Sequence, residues 1–465
     1  MRFEPHPYQK EVINRIVRQK RIALLLDMGT GKTSCALYAL RWLISGRMEF
    51  GKALVVAPKS VAETTWPEQM AQWDQFRGLR LSKVLGTEEE RIRGLAAEAD
   101  VYVINRENLV WLFDHLKLTK AAWPFGALVI DESSSFKNRA SKRWKAAKSM
   151  AMATPRVVLL TGTPAPNGLM DLWAQIYLLD GGQALGQSIG EYRERYFHPG
   201  AHKGWVVFGY ILNKGAEERI YKAIEPLAIS LKATDERVAK TIKMPERIEE
   251  TRAVALPKDV AAKCRALERD YLTEFSGGTI TAATAGVVEN KLLQIADGMV
   301  YDEGGKAVWI HDEKIRMAER IADENDGKPI VVFYNYRFDE ARLLAAFRGR
   351  KVEKLDGPES KRRWNEGKVD VLLVNPSGNA FGLNLQDGGH IAVWITPIWN
   401  LELWQQANAR LWRQGQKQAV VIYKIVAEGT EDGRVYEALD GKAATQNDLI
   451  AAVRMRIEEA GSHGQ

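Results

Sequence analysis

Leu25-Leu26-Asp27-Met28-Gly29-Thr30-Gly31-Lys32-Thr33 is the stretch from which the fold can be read. The apolar run Ile22–Asp27 reads as a strand, Gly29 and Gly31 open a turn, and Ser34–Ile44 reads as a helix. A bound phosphate needs that order. Glycines let backbone N–H groups approach its oxygens, and the start of a helix presents the positive end of its dipole. Lys32 supplies a point charge for β- and γ-phosphates, and Thr33 a hydroxyl for Mg²⁺. The usual Gly-x-x-x-x-Gly-Lys-Thr spacing starts here at Leu26, which replaces the first glycine.

Outward from this turn, short apolar β-branched runs alternate with amphipathic stretches, the pattern of parallel sheets wrapped by helices. The runs are Ala53–Ala57, Val101–Ile104, Ala127–Ile130 and Val157–Leu160, then Ile330–Phe333, Val371–Val374, Ile391–Ile395 and Ala419–Val426. Two doubly wound α/β lobes are expected. The region of about residues 165–325 differs in character and reads as a helical insertion, with a heptad-like pattern after Pro257 through Leu267 and Tyr271. The expected division is 1–235 for an N-terminal lobe with its insertion and 236–465 for a C-terminal lobe inserted near 255–325.

A second signal is Ala127-Leu128-Val129-Ile130-Asp131-Glu132, an acidic pair closing an apolar strand at the sheet end where α/β proteins bind ligands. Asp131 can hold Mg²⁺ and Glu132 can polarise an attacking water. With the phosphate turn, the pair points to nucleoside triphosphate hydrolysis. Gln9, before an amphipathic helix carrying Val12, Ile13, Ile16 and Val17, offers the donor and acceptor needed to read an adenine edge. Thr161-Gly162-Thr163-Pro164 puts two hydroxyls beyond a third strand. In the second half, Arg410 and Arg413 are three apart and are read as sharing one helix face, as arginine fingers for a γ-phosphate.

Composition narrows the class. The 465 residues include 66 Lys and Arg against 59 Asp and Glu, a formal charge of +7, with 46% apolar residues. A mostly disordered, collagenous or membrane-embedded chain is excluded. The basic excess fits a polyanion partner without requiring one. Cys35 and Cys264 form no Cys-x-x-Cys pair, and no His-Glu-x-x-His occurs, so neither a disulfide framework nor zinc hydrolase chemistry is expected. No run nears the ~18 apolar residues of a membrane helix, and the first residues lack an apolar signal core. A cytoplasmic location, bacterial or in an infected host cell, is expected.

Taken in order, these elements resemble the superfamily-two helicases, and within them the Swi/Snf-type DNA-translocating ATPases. The resemblance rests on Tyr8-Gln9, Asp27–Thr33, Val56-Ala57-Pro58, Asp131-Glu132 with Lys137-Asn138, Leu160–Pro164, Asn167 and Leu172-Trp173. It continues through Gly382-Leu383-Asn384-Leu385-Gln386, Trp399-Asn400, the segment Gln406–Gln416 and Glu428-Gly429-Thr430, about residues 5–435 in all. The resemblance implies two RecA-like parallel-sheet lobes in tandem with mostly helical insertions. It also implies an ATP-driven, Mg²⁺-dependent motor on double-stranded DNA. Lys32, Asp131, Glu132, Arg410 and Arg413 would be catalytic. Gln9, Gly29, Thr30, Gly31, Lys32, Thr33 and Gly382 would contact the nucleotide, with Thr33 and Asp131 on the metal. Thr161, Thr163 and Gln406 would couple the sites, and Asn384 and Gln386 would face DNA.

The chain departs from the family at Ser133-Ser134 after the acidic pair, at Ser230-Leu231-Lys232, and at Asn379-Ala380, so family contacts there are not carried over. It resembles a minimal bacterial or phage-encoded member. Lys137–Lys148 holds six Lys or Arg and no acid, which makes Lys137, Lys142, Arg143 and Lys145 candidate DNA contacts. Trp66, Trp73, Trp364 and Trp412 could stack on bases, but most of them read as core. Two other functions compete: a strand-separating DNA or RNA helicase acting on single-stranded or branched nucleic acid, and an ATPase switch or loader for a protein partner.

Overall fold

A computed structural model describes residues 2–200, 202–203, 206–207, 209–232, 235–264, 266, 282–302, 304–377 and 384–443. The chain divides into two compact units, one over Met1–Lys243 joined by the described residues Lys442 and Ala443, and one over Met244–Gly441, so those two residues after Gly441 do not group with the second unit.

The first unit is built on β1 (Arg21–Leu26), β2 (Ala53–Ala57), β3 (Leu81–Val84), β4 (Val101–Asn105), β5 (Ala127–Asp131) and β6 (Arg156–Thr161). Two short antiparallel pairs follow, β7 (Phe197–Pro199) with β10 (Tyr210–Leu212) and β8 (His202–Lys203) with β9 (Val206–Val207). β11 (Ala228–Leu231) then returns to the main sheet, whose order is β11-β1-β6-β5-β2-β4-β3 with every pair parallel. β1, β2, β4, β5 and β6 are apolar because helices cover both faces, leaving no solvent side for polar residues. Those helices include α1 (Pro7–Arg18), α2 (Lys32–Arg41), α3 (Trp66–Gln72), α4 (Glu88–Ala96), α5 (Leu109–Leu118), α6 (Lys142–Ala153) and α7 (Leu172–Asp180). α2 begins at Lys32 and passes after Arg41 into a π-turn, Trp42–Gly46, so it starts earlier and ends sooner than its sequence pattern suggests.

The insertion after β6 is not purely helical. It carries β7–β10 and contributes β11, which extends the sheet beside β1 in register Ala23 with Ala228 and Leu26 with Leu231. Ser230 and Leu231 lie in this strand, while the Lys232 N–H donates to Asp235 Oδ2 at 2.9 Å. Of the heptad-like pattern, residues 258–264 are helical, and Leu267 and Tyr271 lie outside the described residues.

The second unit contains β12 (Arg247–Val254), a small hairpin of β13 (Met299–Tyr301) and β14 (Ala307–Trp309), then β15 (Ile330–Phe333), β16 (Val352–Lys354), β17 (Val371–Val374), β18 (Ile391–Trp394) and β19 (Val420–Ala427). Its main sheet runs β12-β19-β18-β15-β17-β16, again all parallel. Lys314 is fully buried there. Its Nζ lies 2.6 Å from Asp432 and 3.8 Å from Asp297, so the buried ammonium is paired with carboxylates. Both units are therefore parallel α/β lobes, as the alternating pattern of the sequence leads one to expect. Among the described residues no helix is long and apolar enough to cross a membrane.

Candidate functional site

In the first unit three loops leave the carboxyl ends of strands close together in the sheet. β1 lies beside β6, and β6 beside β5, with Leu25 opposite Thr161 and Asp131 opposite Leu160. The chain passes from β1 to β2 by crossing over β6 and β5, a change of order of the kind at which open parallel sheets bind ligands. Register thus gathers the glycine turn, the acidic pair and Thr161–Pro164.

Gly29 and Gly31 both have positive φ, 79° and 82°, which side chains rarely tolerate. A Cβ on Gly31 would lie 2.5 Å from Gln9 Nε2. Gln9 is buried against the turn: its Nε2 donates to Thr30 O at 3.2 Å, and its Oε1 accepts the His6 N–H at 3.0 Å. The Tyr8 hydroxyl donates to the same Thr30 carbonyl at 3.0 Å, and burial pushes its pKa up. Thr30 turns its own hydroxyl inward to Asp27 O at 2.7 Å, so its side chain shapes the turn. Lys32 Nζ donates to Leu26 O at 2.7 Å and Asp27 O at 3.2 Å. The same ammonium is 3.3 Å from where a Cβ on Gly162 would sit. Gly162 and Tyr8 lie within the quoted motifs, which give them no role of their own; the contacts of the turn place both beside it.

Asp131 is 6% exposed. Its Oδ2 accepts the Trp66 indole N–H at 2.9 Å, and its Oδ1 accepts the Glu132 N–H at 3.1 Å. Burial raises the Asp131 pKa, opposed by the Trp66 bond, the Lys32 charge and the Glu132 N–H. Glu132 has φ 51° and ψ 56°, a left-handed conformation costing about 1–2 kcal/mol for a side-chain-bearing residue. Such strain collects where a side chain must be aimed. Thr33, in the first turn of α2, and Asp131 each offer oxygen, the donor type a hard cation such as Mg²⁺ takes.

Thr161 and Thr163 are fully buried, and Thr161 Oγ1 accepts the Thr163 N–H at 3.0 Å. The acidic pair is joined to this turn through Gln175 in α7. Ser133 Oγ donates to Gln175 Oε1 at 2.9 Å, and Gln175 Nε2 donates to Pro164 O at 2.7 Å. The departure at Ser133 therefore comes with its own link.

The basic run separates into different environments. Lys142 and Lys145 are exposed, whereas Lys137 lies 3.6 Å from Asp171. Arg143 donates to Ser135 O at 2.9 Å and stacks over Phe136 at 5.4 Å. Trp66 and Trp364 are fully buried, as expected of core, while Trp73 and Trp412 are half-buried.

The second unit corrects one expectation. The helix Leu401–Asn408 ends before Arg410 and Arg413, which lie on the turn that follows and not on a helix face. Arg413 donates to Asn384 Oδ1, and Arg410 lines a small pocket with Phe333, Val374 and Gln406. Burial lowers the Arg413 pKa. Gln406 Nε2 donates to Glu402 at 3.3 Å, and Gln386 O accepts from Gln416 at 2.9 Å. Gly382 and Asn379-Ala380 lie outside the described residues.

The family model described as SNF2-related domain matches residues 8–275. Protein p41 of Acyrthosiphon pisum secondary endosymbiont phage 1 is 36% identical, over 98% of this chain and 99% of its own. A Bacillus subtilis protein named as a candidate ATP-dependent helicase/translocase, YwqA, is 24% identical over 96% of this chain and 48% of its own length. The mouse DNA repair and recombination protein RAD54B is 23% identical over 93% of this chain and 54% of its own. The chain thus spans about half the length of the latter two. The Sulfolobus solfataricus SWI2/SNF2 ATPase core in complex with dsDNA aligns over 97% of this chain and 94% of that one, at 23% identity and a TM-score of 0.46.

Proposed function

Because the chain belongs to the SNF2-related family, we propose that it is an ATP-driven motor that hydrolyses ATP and moves along double-stranded DNA, displacing or remodelling what is bound there. The observation that carries this reading is the meeting of Lys32, Gly162 and the Asp131-Glu132 pair at neighbouring strand ends. In this reading ATP enters at the glycine turn, where Lys32 exchanges the Leu26 and Asp27 carbonyls for phosphate oxygens. Gln9, already fixed to the turn, senses the adenine. Glu132 takes the proton of the attacking water, and its strained backbone aims the carboxylate. Thr33 and Asp131 would hold Mg²⁺, which when bound neutralises charge on the phosphate oxygens. Arg410 and Arg413 supply charge to the transferring phosphoryl group. Thr161, Thr163 and Gln406 relay the nucleotide state.

Duplex DNA as the track is supported by the family and by relatives named for DNA repair and recombination. Lys142, Lys145, Asn384 and Gln386 are its proposed contacts. The test is ATP turnover of the purified chain with duplex DNA, single-stranded DNA and single-stranded RNA, joined to a triplex-displacement assay. Duplex-selective stimulation with displacement is expected. Equal stimulation by single-stranded RNA would move the assignment to a strand-separating helicase, and none by any nucleic acid to a switch or loader. Lys32→Ala and Glu132→Gln should abolish turnover in folded protein. Loss of Arg410 or Arg413 should lower kcat by on the order of 10³.

A further inference from the structure

Trp66 is fully buried, which alone would make it a core residue. Its polar atom says more. The indole N–H meets Asp131 Oδ2 at 2.9 Å, while the other oxygen of the same carboxylate accepts the Glu132 N–H at 3.1 Å. Two donors on two oxygens fix the rotation of the carboxyl plane. We propose that Trp66 is a positioning residue whose indole N–H holds the Asp131 carboxylate for the Mg²⁺ it would share with Thr33. This rests on the nucleotide-site reading given above.

The chemistry of the donor supports the role. An indole nitrogen donates and cannot accept, so Asp131 Oδ2 must present a lone pair to it, and the bond favours the charged carboxylate over the acid. The donor is also uncharged. A lysine or arginine at this place would anchor the carboxylate equally well, but its charge would repel the cation. Trp66 stabilises a buried carboxylate while leaving its charge for the metal.

Local backbone delivers the ring. β2 runs beside β5, with Val56 opposite Ile130, so the loop after β2 starts next to Asp131. That loop makes a π-turn over Val61–Thr65, closed by the Trp66 N–H on Val61 O, and α3 then begins at Trp66 itself. The wider turn sets the angle at which the ring enters, and single π-turns recur at functional sites. Trp66 thereby links the segment after β2 to the carboxylate after β5.

The experiment removes the N–H and keeps the ring. Trp66→Phe is the simple variant; β-(3-benzothienyl)alanine at position 66 keeps the bicyclic shape and replaces N–H with sulfur, so it decides if the Phe variant melts early. Mn²⁺ affinity of the full chain bound to a non-hydrolysable ATP analogue is read by electron paramagnetic resonance, and affinity for the analogue in EDTA is read separately. Loss of a group that orients a metal ligand typically costs about 10–100-fold in metal affinity, and that loss is expected with metal-free nucleotide affinity unchanged. Unchanged Mn²⁺ affinity in the benzothienyl variant overturns the proposal, as does an equal loss of metal-free nucleotide affinity. Asp131→Asn separates the two layers: if it leaves Mn²⁺ affinity intact, the site reading itself is wrong, whatever Trp66 does.

Discussion

The Ser133 hydroxyl donates to Gln175 Oε1 at 2.9 Å, in a fully buried contact between the residue after the acidic pair and α7. The amide of the same Gln175 donates to Pro164 O at 2.7 Å. A neutral side chain thus ties the Asp131-Glu132 turn to Thr161–Pro164 without adding a charge beside Asp131 and Lys32. Breaking one end leaves a buried polar group unpaired, at about 1–3 kcal/mol. Ser133→Ala and Gln175→Leu should each destabilise the first unit by that order in denaturant unfolding. The double variant should cost less than their sum, by about 1 kcal/mol. Strict additivity would mean that the two side chains do not support each other.

Gly31 has little room in the glycine turn. Its φ of +82° is costly for any other residue, and a Cβ would fall 2.5 Å from Gln9 Nε2. Gly31→Ala should therefore lower stability by about 1–2 kcal/mol and abolish ATP turnover, since the N–H groups of the turn must shift. Adding Gln9→Ala removes the collision but not the backbone cost. Stability should recover in part and turnover should not. Wild-type turnover in Gly31→Ala, measured on folded protein, would contradict the assignment of this turn.

The parts of this site that sequence reveals are those where backbone geometry or double-sided burial dictates residue type. Gly29 and Gly31 need positive φ, and β2, β15 and β17 read as apolar runs with the bounds observed. Strands at the sheet edges are harder to read. β3, β12 and β16 each expose part of their length, and their polar residues, as in Arg247–Val254, break the apolar run. β11 is buried but only four residues long, and it sits within a region of helical character. Arg410 and Arg413 have a spacing that suits a helix face, yet the helix stops at Asn408. Trp66 is invisible as a donor because a core tryptophan and one that bonds a carboxylate look the same in sequence. Only the position of Asp131 separates them.

A pH dependence follows from His311 in the second unit, 2% exposed. Its Nε2 bonds Ile295 O at 3.0 Å, and its Nδ1 faces the Glu313 N–H at 3.3 Å, an arrangement that suits the neutral ring with its proton on Nε2. Burial lowers its pKa from 6.5, and Arg342 and Lys314 lower it further against the pull of Ile295 O and Glu313. The unfolded chain therefore takes up the proton first as pH falls. The contribution to stability is full above 6.5 and is lost as pH drops through the folded value. Thermal unfolding of wild type against His311→Gln should show a gap that narrows on acidification below 6.5. A gap independent of pH would show that His311 is not the titrating group.

The basic run on α6 offers the sharpest division between a binding surface and a structural one. Lys142 and Lys145 are exposed, and charge there is available to a phosphate backbone. Arg143 instead donates to Ser135 O at 2.9 Å and covers the Phe136 ring, bracing the turn that follows the acidic pair. Lys142→Gln with Lys145→Gln should therefore weaken duplex binding and reduce its salt dependence. The slope of log affinity against log salt should fall by about 0.9 for each phosphate that the variant leaves without a lysine partner, with the unfolding midpoint unchanged. Arg143→Gln should do the reverse. It leaves the Ser135 carbonyl without that donor, so a stability loss of about 1–3 kcal/mol is expected with little change in the salt slope. If the double lysine variant binds duplex with the wild-type slope, the DNA contacts lie elsewhere and the exposed lysines are only a solvated helix face.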